Sequence, residues 1–162
     1  MNKCDIYLMY LEIRVTEPFD LKGIIMPKMT THDLQCPHCG NKQKTMIWDT
    51  LNITRESDLK NKLYAGEINR FECKKCEKKS VIEAPLLYHD MSQQFCVQYF
   101  PPKALDDPNF LRQFNRDGSF AMTAISMELG KSAYLTRPHI VFDMNEMLRY
   151  VAFRDRIPAI KL

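Results

Sequence analysis

No stretch of this 162-residue chain stays apolar for the ~20 residues that a bilayer-spanning helix needs. The most apolar early run, Ile6 to Ile13, contains Glu12 and follows Asp5. No secretory leader is expected either, because Arg14-Val15-Thr16-Glu17-Pro18 offers no small-residue cleavage site after a long apolar run. The expected compartment is the cytoplasm, with no membrane partner. A charge excess is also missing: 23 Lys plus Arg against 20 Asp plus Glu leave +3, too little to imply a polyanion partner by itself. What is present, 45% hydrophobic and 10% aromatic residues, excludes a chain that stays disordered throughout. The length fits one domain of ordinary size, not a large multidomain enzyme. No constellation of residues announces a reaction.

Residues 1–28 read as an N-terminal extension and 29–162 as the domain. Met26 and Met29 are candidate later starts, since Lys22-Gly23 is encodable by a purine run placed to recruit a ribosome. The competing reading makes Ile6 to Val15 a short strand packed on the sheet. Lys42 to Leu51 then mixes polar and apolar residues as a strand does. A short helix follows, with Ser57 as cap, Asp58 at its positive end, Leu59 and Leu63 on one face and Gly66 as the stop. Ile68 to Cys73, Ser80 to Ala84, Leu86 to His89 and Phe95 to Phe100 read as strands of an antiparallel meander, turning at His89-Asp90-Met91-Ser92. Asp107-Pro108 is expected to open a helix carrying Phe110, Leu111 and Phe114, and Ala133 to Phe142 to form a strand despite Pro138. Asp143 caps a terminal helix whose buried stripe is Met144, Met147, Leu148 and Val151, a core stripe and not a partner groove.

Four of the six cysteines form two pairs of identical spacing, Cys36-Pro37-His38-Cys39-Gly40 and Cys73-Lys74-Lys75-Cys76-Glu77, while Cys4 and Cys96 stand alone. Two intervening residues let a tight turn aim both sulfurs at one point, and two such turns supply the four thiolates that tetrahedral zinc prefers. Pro37 sets a turn dihedral and Gly40 accepts a positive φ. Glu77 stands where the second turn would have that glycine, so that turn is expected to be strained or differently shaped. The 33 residues between the pairs are no obstacle. Doubling a loop costs only ~0.6 kcal/mol, against roughly 10–16 kcal/mol of apparent zinc binding in small peptides. Disulfides are disfavoured in a reducing compartment. Thiol redox catalysis is the sharper competitor, because Cys-Pro-His-Cys also serves strongly oxidising thioredoxin-like enzymes, but that chemistry needs a helix beginning at the motif.

These residues resemble the CpXC-domain family, whose function is unassigned, over roughly Thr31 to Phe153. The likeness rests on the first cysteine motif, Tyr64-Ala65-Gly66, Ile68-Asn69-Arg70-Phe71-Glu72-Cys73, Pro85-Leu86-Leu87-Tyr88-His89-Asp90, Tyr99-Phe100-Pro101 and His139 to Met147. Glu77 departs from the Cys-Gly ending. The resemblance implies a zinc-ribbon-bearing α+β domain and no reaction.

Lys74, Lys75, Lys78 and Lys79, with Lys42, Lys44 and Arg70 near them once the site closes, would reach phosphates or simply neutralise a tetrathiolate zinc, which carries −2. Trp48, Phe71 and Tyr64 would stack on bases or fill the core. His89 with Asp90 and Cys96 suggests a base and a nucleophile, but adjacent strand residues point to opposite faces. His38 points outward from such a knuckle, and His32 and His139 have no partner visible in sequence. The expectation is an α+β domain with an antiparallel sheet, two or three helices and a structural zinc on Cys36, Cys39, Cys73 and Cys76. Its role is a non-catalytic interaction module with an unidentified protein partner; nucleic-acid binding is the alternative and thiol-disulfide exchange the third reading.

Overall fold

A computed structural model describes residues 7–10, 27–121 and 130–157. Among these residues, strands β1 (Tyr7–Tyr10), β2 (Lys28–Gln35), β3 (Lys42–Asn52), β4 (Arg70–Glu72), β5 (Lys79–Glu83), β6 (Leu86–Asp90), β7 (Phe95–Tyr99) and β8 (His139–Val141) accompany two α-helices, α1 (Asp58–Tyr64) and α2 (Met144–Arg156). They build a five-stranded sheet in the order β2-β3-β6-β7-β8 and a three-stranded sheet in the order β1-β5-β4. The class is α+β.

The pairing is mixed. β2–β3, β4–β5 and β6–β7 are antiparallel, as a meander requires, whereas β3–β6, β7–β8 and β1–β5 are parallel. β3 cannot meet β6 through a hairpin, because α1, β4 and β5 lie between them in sequence. The β6–β7 turn comes later than its residue types suggest. β6 continues through Asp90, whose carboxylate then accepts the backbone N–H groups of Ser92 (2.9 Å) and Gln93 (3.3 Å). A strand within Ile6 to Val15 is present as β1, beside β5.

The structure departs from the local signals in three places. Ser57 is itself helical and makes no side-chain cap, although Gly66 ends α1 at φ +66° as expected. The segment opened by Asp107-Pro108 forms no α-helix, only a 3₁₀ turn at Leu111–Gln113. Phe100, Phe110, Phe114 and Phe120 knot together instead, with successive ring centroids 4.9, 5.1 and 5.3 Å apart, and a continuing helix would separate Phe114 from Phe120. Gly130–Thr136 is a 3₁₀ segment, so the expected strand of Ala133 to Phe142 shrinks to β8, after Pro138. The terminal helix forms as read: Asp143 accepts from the N–H groups of Asn145 and Glu146, and Met147 and Val151 are buried.

Besides the cluster of Phe100, Phe110 and Phe120, two further apolar cores form. The larger joins Leu51, Leu86, Tyr88 and Val97 of the main sheet to Leu59 and Leu63 of α1 and Met147 and Val151 of α2. The smaller, made of Leu34, Ile47, Phe71, Ile82 and Ala84 with Cys36 and Cys73, joins the β2–β3 ribbon to the small sheet. β3 serves both because of an irregularity at Asp49. Met29 pairs with Trp48 but Lys28 pairs with Thr50, leaving Asp49 as an extra residue that shifts the alternation. Ile47 therefore faces the small core while Trp48 and Leu51 both meet the large one. Where β3 has left β6, Asn69 stands in for a neighbouring strand: its side-chain amide accepts from Trp48 N–H (2.7 Å) and donates to Trp48 C=O (3.0 Å).

Candidate metal centre

Each cysteine pair sits on a tight turn between antiparallel strands, β2–β3 for the first and β4–β5 for the second. The turns share one hydrogen-bond pattern. Gly40 N–H donates to Cys36 C=O (2.9 Å) and Cys36 N–H to Asn41 C=O (2.8 Å); Glu77 N–H donates to Cys73 C=O (2.8 Å) and Cys73 N–H to Lys78 C=O (3.0 Å). Gly40 has φ +69° and Glu77 φ +57°. The second knuckle thus keeps the shape of the first, and Glu77 carries the cost of a left-handed conformation, ~1 kcal/mol or somewhat more for a residue with a Cβ. Replacing Glu77 by glycine is expected to stabilise the protein by about 1 kcal/mol without altering metal content, read by urea denaturation of both forms.

The small core brings the knuckles together. The Sγ atoms of Cys36, Cys39, Cys73 and Cys76 all lie within 4.8 Å of one another, with Cys36–Cys76 at 3.7 Å and Cys39–Cys73 at 3.6 Å. A tetrahedron of sulfurs bonded at ~2.3 Å to one ion has an edge of ~3.8 Å, whereas a disulfide requires ~2.05 Å. All four are free thiols, and the cluster has the size of a metal cage. Cys36 and Cys73 are buried, Cys76 is half-buried and Cys39 is exposed, so the cage lies at the surface with one side in the small core.

Ionisation of the quartet is uneven. Burial opposes a thiolate at Cys73, but the backbone N–H groups of Cys76 and Lys75 and the thiols of Cys39 and Cys76 outweigh it and bring Cys73 down to about 6. Cys76 is helped by the N–H of Lys78, yet burial and the thiols of Cys39, Cys73 and Cys36 push it up to about 12. One sulfur ionises readily and the last resists, as expected of like charges in one cage without a cation between them.

Gln43 ties the knuckles from outside the sulfurs. Its carbonyl oxygen accepts the N–H of Lys74 (2.9 Å) and the side-chain amide of Asn41 (3.4 Å), and its own amide donates to Glu72 C=O (2.9 Å). Asn41 in turn points its amide at Cys73 Sγ (3.9 Å). The composition of the motif does not reveal Gln43. The only hint is its phase in β3, where it alternates with Thr45 and Ile47 toward the small core.

The remaining candidates do not join the cage. His38 is exposed, and His139 stacks on Tyr150 at 3.7 Å. His32 lies opposite Thr45 in the ribbon, half-buried. His89 and Asp90 do not orient one another: His89 Nδ1 is 3.0 Å from the Tyr134 hydroxyl, while Asp90 accepts from the Thr54 hydroxyl (3.0 Å). Asp90 is pushed up by burial but brought below the ordinary carboxyl range overall by the hydroxyls of Ser92 and Thr54 and nearby backbone N–H groups. Cys96 is the register partner of His89, but burial pushes its thiol up to about 12 and its Sγ donates to Tyr134 C=O. It is a buried thiol, not an activated nucleophile. Nor does a helix begin at Cys36, because the chain leaves the knuckle as β3 and gives that sulfur no helix N-terminus. Phe71 is fully buried and unavailable for stacking, and the exposed Tyr64 donates to Asp155 (3.2 Å).

Fold and site together define an α+β protein whose two strand-borne knuckles bring four cysteines into a cluster able to hold a metal ion. The chain belongs to the CpXC family: the model of the CpXC protein matches residues 34–157, from the end of β2 to the end of α2. Comparison with the curated proteins and with the solved structures finds no match. No helix among the described residues is long and apolar enough to cross a membrane.

Proposed function

We propose that Cys36, Cys39, Cys73 and Cys76 bind one zinc ion as a structural centre of zinc-ribbon type, and that the protein is a non-catalytic interaction module of the cytoplasm. The observation that supports this best is the convergence of four Sγ atoms within 4.8 Å of one another, with 3.6 and 3.7 Å between pairs drawn from the two knuckles. Four soft thiolates suit zinc, and a cage filled by four protein ligands leaves no open position for water or substrate. Zinc there supplies positive charge and directional bonds that lock the ribbon onto the small sheet. The protein's own part is to present the sulfurs through two equivalent turns and to fix their orientation through Asn41 and Gln43. Residues 29–162 form the domain, and residues 1–28 are an extension that contributes β1 to its small sheet.

Elemental analysis of the native chain together with a thiol count tests this. One zinc per chain, with four thiols becoming reactive only after chelation, is the expected result. Absence of metal with four freely reactive thiols, or turnover of a disulfide substrate by the metal-free chain, overturns it.

A further inference from the structure

The cage-bearing ribbon has a second face. On one side Gln43, Thr45 and Ile47 turn toward the small sheet; on the other, Lys42, Lys44, Met46 and Trp48 form a row along β3, with Gln35, Asp33, Thr31 and Met29 opposite them on β2. That outer side is open: Lys42, Lys44, Gln35, Asp33 and Thr31 are exposed or half-exposed, Met46 is 58% exposed, and Trp48 and Met29 are half-buried where the ribbon joins the main core. Residues alternate along a strand at roughly 6.8 Å per like-facing pair, so the row runs from two ammoniums at the metal end to a thioether and an indole at the other.

The charges of this row are uncommitted. Lys79, Lys60 and Lys62 are ion-paired to Glu72, Asp155 and Asp58, but neither Lys42 nor Lys44 is in an ion pair among the described residues, even though Asp33 lies across from Lys44. Lys74, Lys75 and Lys78 flank the second knuckle, where they offset the −2 of a tetrathiolate zinc. That leaves the two outward lysines of the first ribbon without such a task. Ammoniums in line with a flat aromatic and a polarisable Met are the components of a single-strand platform: phosphates meet the cations and bases stack on the apolar end.

We propose that the outer face of the β2–β3 ribbon, with Lys42 and Lys44 as phosphate contacts and Trp48 and Met46 as the stacking surface, binds single-stranded nucleic acid. This rests on the reading of the ribbon as a metal-held interaction module and names the partner's chemistry. The ammoniums at one end of the row favour a polyanion, and the indole at the other end favours one that carries bases over an acidic peptide.

Trp48 is the single tryptophan of the chain, so the protein's indole emission comes from the end of this row where the ribbon meets the main core. Titrating the zinc-loaded full chain with a short oligothymidylate is expected to quench that emission saturably, with an affinity that falls as salt rises. Lys42→Glu with Lys44→Glu should weaken binding on the order of tenfold or more and flatten the slope of log affinity against log salt by roughly 1.4, about 0.7 for each phosphate no longer neutralised. Both lysines are exposed and outside the ion pairs of the described residues, so this variant is expected to fold, and an unchanged zinc content verifies it. Lack of quenching, quenching indifferent to salt or to the double substitution, equal quenching by heparin, which has no bases, or occlusion of Trp48 by self-association each overturns the proposal. If the wild-type chain instead carries no zinc, the structural-centre reading has failed, and the two failures are told apart by the metal content measured on the same sample.

Discussion

Chelation of the zinc-loaded protein is expected to melt the ribbon end of the molecule while leaving the helical end folded. The small core offers Leu34, Ile47, Phe71 and Ile82 as its larger aliphatic and aromatic side chains. Each contributes roughly 1.5–3 kcal/mol on full burial, before the entropy of ordering two hairpins is subtracted. Structural zinc supplies roughly 10–16 kcal/mol of apparent binding energy in small peptides, so the proposed ion would be the larger contribution at this end. Without it the four sulfurs lose their common partner, and the uneven ionisation of Cys73 and Cys76 leaves a cluster that repels itself as pH rises. The main core has its own supports in α1 and α2. Hydrogen exchange should therefore lose protection in β2, the first half of β3, β4 and β5, and keep it in β6, β7 and α2. Retained protection around Ile47 and Phe71 after complete metal removal would contradict an organising role for the ion.

The second large effect is expected at Phe71. It is fully buried, lies opposite Ser80 in the small sheet, and packs in the same cluster as Cys36 and Cys73. Truncation to alanine removes most of the aromatic surface of that core and should cost about 3–5 kcal/mol, the range for large-to-small changes in a packed interior. Because the knuckles are held together by this cluster, the same substitution should also weaken zinc retention against a competing chelator, by the linkage between binding and folding. Leu111→Ala is the control: Leu111 is 60% exposed, and its truncation should stay within about 0.5 kcal/mol with no effect on metal. A Phe71→Ala protein that loses stability but holds zinc as tightly as the wild type would separate the small core from the cage.

The cage is legible in sequence because its chemistry is local. A knuckle is closed by residues four apart, and its makings, Pro37 and Gly40 included, are read from five letters. The same locality explains Asp143 and the stripe of α2. What stays hidden depends on residues far apart. Asp107-Pro108 with Phe110 and Phe114 carries every local mark of a helix start, yet the packing that decides the segment is with Phe100 and Phe120. The parallel pairing of β3 with β6 follows from the whole α1–β4–β5 insertion and not from either strand's pattern. Gln43 and Asn69 read as ordinary polar residues, and only the closed fold shows them bonding across 29 and 21 residues of sequence.

The extra residue at Asp49 has a consequence for how this chain tolerates change in length. It acts as a phase shifter: upstream of it even-numbered residues look outward, and downstream the odd-numbered Leu51 looks into the large core. Deleting one residue between Ile47 and Thr50 would turn the tip over relative to the body, presenting Ile47 to solvent and Lys42 and Lys44 to the interior. Insertions and deletions should accordingly collect in the connection around residues 101–121, and the span from the first knuckle to Asn52 should keep its length.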